Sequence, residues 1–141
     1  GALEKLVAAG VPAHVSIAPI IPSITDEFIE AILSEAAARG AQTASWIMLR
    51  LPHEVAPLFR EWLGVHYPDR AGKVISIVQS IREGRDNDPG FFTRMKGSGP
   101  WADLIRTRFR IACRRLDLNK GRLDLRTDLF RPPEGPQLNL F

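Results

Sequence analysis

The chain has 141 residues, 45% hydrophobic and 25% charged, with a formal net charge of +3. These are the proportions of a globular chain that forms one domain or part of one; they exclude wholesale disorder, and with 11 Gly and 11 Pro they exclude a collagen-like repeat. The lone cysteine, Cys113, can close no internal disulfide, and no apolar run approaches the roughly 20 residues that cross a bilayer, so a cytoplasmic protein without membrane association is expected.

The N-terminus has no basic start followed by an apolar run, so no secretion signal is read there. Gly1 is not an initiator methionine, and a helical apolar pattern is already under way at Leu3, Leu6 and Val7. The expectation is a chain that begins inside a larger protein. His14 to Ile20 is a short run with β-branched residues, flanked by Gly10, Pro12 and Pro22, and reads as a buried strand. Thr25 follows as an N-cap, with Asp26 and Glu27 suited to the helix dipole. Phe28, Ile29, Ile32, Leu33 and Ala36 then keep a helical stripe to Arg39, and Gly40 supplies the stop. Thr43 to Leu51 is a second apolar strand closed by Pro52, and Val55 to Val65 a helix with Leu58, Phe59, Trp62 and Leu63 on one face.

Helix, strand, helix, strand, helix in that order, with short loops, argues for parallel strands joined by right-handed crossovers, as in an α/β barrel or open sheet. Two strands cannot bury both faces of such a sheet, so further strands are expected before Gly1. After Pro68 the pattern changes. Val74, Ile75, Ile77, Val78 and Ile81 suggest a helix ending at Gly84; a polar, Gly-rich loop then runs from Arg85 to Gly99, and Pro100 opens a last helix. On that helix Trp101, Ile105, Phe109, Ala112 and Leu116 share one face, and Arg106, Arg110 and Arg114 another, where Asp103 and Asp117 partly neutralise them. Charge concentrates here: residues 1–90 carry 8 basic and 11 acidic side chains, residues 91–120 carry 8 and 2, and residues 121–141 carry 3 and 3. The basic segment faces either phosphates or nucleic acid, or simply solvent.

The run APIIPSITDEFIEAILSEAAARGAQTASWIMLRLPHEVAPLFREWL resembles the C-terminal half of the barrel in radical S-adenosylmethionine proteins similar to spore photoproduct lyase. Its continuation, RMKGSGPWADLIRTRFRIACRRL, looks like the extension of one uncharacterised bacterial branch of that group. Ala18-Pro19-Ile20-Ile21-Pro22, Thr25-Asp26, Arg50-Leu51-Pro52 and Arg94-Met95-Lys96-Gly97 occur in the expected order. The resemblance implies an α/β fold made of the last βα units of a partial (β/α)6 TIM-like barrel, followed by a mainly helical extension. Residues 1–66 would be the barrel units, 67–130 the basic extension and 131–141 a flexible tail. It also implies a [4Fe-4S] cluster and S-adenosylmethionine in the intact protein, lyase-like radical chemistry, and DNA or another phosphorylated molecule as substrate.

The cluster of that family is held by a three-cysteine loop that this sequence lacks, so the chain alone is expected to bind no cofactor and to be inactive. Cys113 is expected to be a packed core thiol. His14 and His66 have no neighbours at ligand spacing, and no metal site is expected. At the carboxyl ends of the two strands, Ala18, Ile20, Ile21, Met48, Arg50 and Leu51 become the candidates to bind the cofactor, against the alternative of barrel core. Arg50 has either an anionic group in two parallel hydrogen bonds or a buried ion pair with Glu54 or another acid to choose from, and His53 either the same pocket or a capping or solvent-facing role.

Arg94, Lys96 and Gly97 form a loop that either cradles a substrate anion or makes a tight turn. Arg108 and Arg115, nearer the apolar stripe, are the other candidates for substrate contact. The terminal Gln137-Leu138-Asn139-Leu140-Phe141 resembles the pentapeptide by which bacterial proteins bind the replication sliding clamp; Gln137, Leu138, Leu140 and Phe141 would make the contacts, unless the tail buries Phe141 against its own domain. A homodimer through exposed strand edges is the remaining partner expected.

Overall fold

A computed structural model of the protein describes residues 1–121 and 128–131. Its described part is a small α/β fold with five helices and a two-stranded parallel sheet that is not closed into a barrel. In chain order these are α1 (Ala2–Ala8), β1 (His14–Ile20), a 3-10 turn at Asp26–Phe28 leading into α2 (Ile29–Ala38), β2 (Thr43–Met48), α3 (Val55–His66), α4 (Pro68–Ser80) and α5 (Gly99–Arg115). Among the described residues no helix is long and apolar enough to cross a membrane.

β1 and β2 pair in parallel, with His14 opposite Thr43 and Ile17 opposite Trp46, and an irregularity before Ile20 meets Met48. The side chains alternate as a half-buried sheet requires. Ile17, Ile20, Ala44, Trp46 and Met48 point into the core, where α2 contributes Ile29, Leu33 and Ala36, and α5 contributes Ala102, Ile105, Phe109, Ala112 and Cys113. The late basic helix thus shares one core with the two strands. A second cluster lies past the carboxyl ends of the strands, where Ile24, Leu49 and Leu51 pack with Leu63 of α3 and Val74 and Val78 of α4.

The opposite face of the sheet is polar. His14 bonds through Nδ1 to Thr43 Oγ1 and through Nε2 to Ser45 Oγ, both at 2.9 Å, and Ser45 donates to Ser16 Oγ at 3.4 Å. The two edges differ as well. Along β2 the outward backbone groups are taken: Asn119 accepts from Ala44 N–H at 2.8 Å and donates to its carbonyl at 3.0 Å, Lys96 Nζ donates to the Trp46 carbonyl, and Met48 N–H donates to Met95 O at 2.9 Å. Along β1 no further strand pairs among the described residues. That edge borders an open apolar groove of about 760 Å³ lined by Ser16, Ala18 and Pro19 of β1 and Phe28 and Ile32 at the start of α2.

Several boundaries depart from the sequence reading, each for a local reason. β2 ends at Met48, not Leu51. Leu49 still donates to Ile20 O, but its side chain and that of Leu51 turn into the second cluster, and Pro52 has no N–H with which to continue a ladder. α4 begins at Pro68, six residues before the apolar stripe becomes visible, because its first turn is largely exposed and Pro68 is preorganised for a helix start. It ends at Ser80; Gly84, at φ +82°, donates back to Gln79 O and finishes the turn. Thr25 does not cap α2: its hydroxyl accepts from Ile21 N–H at 2.8 Å, bracing the exit of β1. Asp117 pairs with Lys120 rather than with the arginine row, whereas Asp103 does pair with Arg106.

α5 is fastened to α2 by a forked ion pair. Arg108 Nε and Nη2 donate to the two carboxylate oxygens of Glu30 at 2.8 and 2.7 Å, and Nη2 also donates to Asp26 O at 2.9 Å. The bond from Arg108 lowers the Glu30 pKa against the opposing effect of burial. A depressed carboxylate stabilises the fold above its unfolded pKa and loses that contribution as pH falls through the folded value. Glu30→Gln should therefore cost about 1 kcal/mol at pH 7 and progressively less as the pH falls below 4, read as converging urea midpoints of the two proteins.

Candidate functional site

In α/β folds ligands gather beyond the carboxyl ends of the strands, and the exits of β1 and β2 are the natural place for a site here. Of the apolar positions expected around a nucleoside, Ile20, Met48 and Leu51 are wholly buried and spend their side chains on the core. Ala18 is exposed on the groove beside β1, and Ile21 is half-buried against the second cluster. Arg50 is half-buried and forms no ion pair, with Glu54 or any other acid, among the described residues. His53 is exposed at the head of α3 in a left-handed conformation, φ +43°.

The residue that organises this end of the molecule is Arg82, which the sequence reading passes over. It is 1% exposed, and its guanidinium donates to three backbone carbonyls: Leu49 at the exit of β2 at 3.0 Å, Thr93 at 3.2 Å and Arg94 at 2.7 Å. One side chain therefore ties β2 to the 93–97 loop. Arg82 follows α4 by two residues, where a basic side chain reads most simply as a partner of the helix dipole, so periodicity gives no warning of its burial.

Arg94 is half-buried, its carbonyl taken by Arg82 and its guanidinium carbon 5.1 Å from the centroid of the Phe91 ring. The Nε atoms of Arg50, Arg82 and Arg94 are all buried without a hydrogen-bond partner. The Arg82 pKa is lowered, chiefly by burial and further by the charge of Arg50, while Asp88 opposes the shift. Asp88 accepts from Gly90 N–H at 2.8 Å and from the Thr93 hydroxyl. Arg50 and Arg82 thus lie near enough at the end of β2 for the charge of one to bear on the other, and Asp88 opposes it.

The rest of the loop serves the fold. Lys96 is half-buried, with Nζ 3.9 Å from the Trp46 ring centroid and its proton on the Trp46 carbonyl; burial lowers its pKa. Gly97 has φ +69°, and a β-carbon there would lie 3.0 Å from the Ile81 carbonyl oxygen. Its N–H bonds to Thr93 O at 2.8 Å, and Ser98 N–H to Ile81 O at 3.1 Å, so these two donors close the turn and are not presented to an anion. Arg108 is engaged with Glu30 and Asp26, and the charge of exposed Arg115 also reaches Glu30. Both thus act at the start of α2. Gln137, Leu138, Leu140 and Phe141 lie outside the described residues.

The described residues do not fit an iron–sulfur cluster. Cys113 is buried in the first core cluster, its thiol pKa raised by burial, and among the described residues no three His, Cys, Asp or Glu side chains converge as metal ligands. Neither protein-family models, nor curated proteins, nor solved structures yield a significant match to this chain.

Two substitutions test this end of the fold. Arg82→Met leaves the Leu49 and Arg94 carbonyls without this donor, each costing about 1–3 kcal/mol, while the Thr93 carbonyl keeps the Gly97 N–H; the urea midpoint should fall by the equivalent of at least about 2 kcal/mol, and Arg82→Lys should not restore it, because an ammonium lacks the planar fork. Gly97→Ala forces an alanine to positive φ against a carbonyl, and about 2 kcal/mol of stability should be lost by the same measurement.

Proposed function

We propose that the chain is the closing portion of a radical S-adenosylmethionine enzyme similar to spore photoproduct lyase. Residues 1–66 supply the last two βα units of a partial (β/α)6 barrel, and the basic helical extension seals them. The observation that carries this reading is the asymmetry of the sheet: the β2 edge is filled by Asn119, Lys96 and Met95, while β1 is open along a groove. A wall that ends at β2 and continues beyond β1 has this form. The polar face of His14, Ser16, Thr43 and Ser45 then looks into the barrel, and α2 and α5 cover its outside.

On this reading the cluster ligands come from outside residues 1–141, and the chain alone has no radical activity. Its own residues build a wall, hold Ala18 and Ile21 at the strand exits where the nucleoside would rest, and place Arg50 at the mouth for an anionic part of cofactor or substrate. DNA or another phosphorylated molecule is the substrate class the reading favours, in the cytoplasm. The test uses the intact protein, reconstituted anaerobically with iron and sulfide. Release of 5′-deoxyadenosine on reduction with S-adenosylmethionine is the expected result, and a fully loaded cluster that gives none rejects the reading.

The QLNLF ending points to a second role of the same protein, docking on a replication sliding clamp. In a pull-down, clamp should be retained by the whole chain and lost when residues 137–141 are removed. Equal retention by both discards the role. A homodimer across the open β1 edge would show as a concentration-dependent mass in solution.

A further inference from the structure

We propose that the outer face of α3 and the outer face of α5 are the two halves of one interface, through which a second copy of this chain joins head to tail. This contact uses neither the sheet nor the groove beside β1, and it holds whatever the chemistry of the protein.

α3 buries Leu63 in the second cluster and leaves an apolar line on its other side. Val55, Leu58, Trp62 and Val65 follow one another at spacings of three and four, which keeps them on one helix face, and all are exposed, Leu58 to 62% and Val65 to 71%. Trp62 is steadied by its own neighbours: the Phe59 ring stacks on it at 5.7 Å between centroids, and the His66 and Tyr67 rings lie at 5.4 and 5.3 Å. A braced tryptophan within an apolar line is the kind of residue that anchors an interface. Exposed Glu54 and Glu61 run along one flank of the line, and neither has an ion pair among the described residues.

A helix that covers this line needs an apolar line of its own with cations along its flank, and the chain carries one. On α5, Leu104 and Ile111 are exposed on the side away from the core, with exposed Thr107 between them. Exposed Arg110 and Arg114 run beside them, also without an ion pair among the described residues. Glu54 and Glu61 directly precede Val55 and Trp62, and Arg110 directly precedes Ile111, so the charged flanks lie on the same side of the two lines and meet when the helices pack antiparallel. The wider charge agrees: residues 1–90 carry 8 basic and 11 acidic side chains, and residues 91–120 carry 8 and 2. Within one copy α5 packs into the first core cluster and α3 into the second, with these faces left outward. The contact is therefore between copies. It is heterologous, one face of each kind per copy, so successive copies close a ring or extend a row.

The test is light scattering on the full chain as it leaves a sizing column, loaded from micromolar to hundreds of micromolar. The wild-type mass should climb past that of a dimer with concentration. Leu58→Glu and Ile111→Glu should each run as a monomer; both side chains are exposed, and an unchanged thermal transition checks that the fold persists. An equimolar mixture of these two variants keeps one intact face of each kind, and its mass should stop at the dimer. Glu61→Arg or Arg110→Glu alone should weaken association about tenfold, and the two together in one chain should restore it. A wild type that stays monomeric, a mixture that gives no dimer, or a double charge variant no stronger than its parents overturns the proposal. Single variants that associate as the wild type does also overturn it and assign the contact to another surface, such as the β1 edge.

Discussion

A single buried guanidinium holds the two halves of this fold in register. Arg82 sits at the seam between the cluster under the sheet and the cluster under the α3–α4 pair, and its three carbonyl partners come from segments more than 40 residues apart. Charged donors to buried carbonyls are among the stronger hydrogen bonds a protein makes, and here they replace the ladder bonds that a longer strand would have supplied. Where β2 turns away at Leu49, the Arg82 fork takes over.

That substitution of side chain for backbone recurs along the same edge. Asn119 mimics a neighbouring strand at Ala44 with one donor and one acceptor, and Lys96 reaches the Trp46 carbonyl while lying over its ring. An edge finished in this way offers no unpaired row to another sheet, which is how proteins avoid edge-to-edge association. Along β1, among the described residues, such a contact is made only near the exit, where the Thr25 hydroxyl donates to Pro19 O at 3.4 Å. The structure is therefore directional across the sheet, closed on one side and receptive on the other.

The strands, the helices and the parallel order were legible because their signals are local: β-branched runs between prolines, apolar spacing of three and four, a glycine after the stripes of α2 and α4. His14–Ile20 is found at the expected bounds, and α2, α3 and α5 within a few residues of theirs. What was hidden depends on contacts between distant parts. Arg82 follows a helix like many solvent-facing arginines, and only the fold reveals the carbonyls around it. The same applies to Arg108, which looked free for a partner but meets Glu30 across 78 residues. Arg50 reads as a lone cation at the end of a strand and Arg94 as part of a glycine loop with Lys96, and nothing in their spacing indicates that Arg82 ties together the segments that carry them. Ile20, Met48 and Leu51 had two uses open to an apolar side chain, and packing took them for the core.

The placement of α5 also bears on synthesis. The inward face of β1 and β2 is covered partly by residues 102–113, made some sixty positions after β2. During translation the strands leave the ribosome with Trp46 and its neighbours bare, and the domain becomes a cooperative unit only when α5 has emerged. Until then the apolar side of the sheet is open to chaperones and to other nascent copies, so the order in which this chain is made sets the interval in which it is most vulnerable.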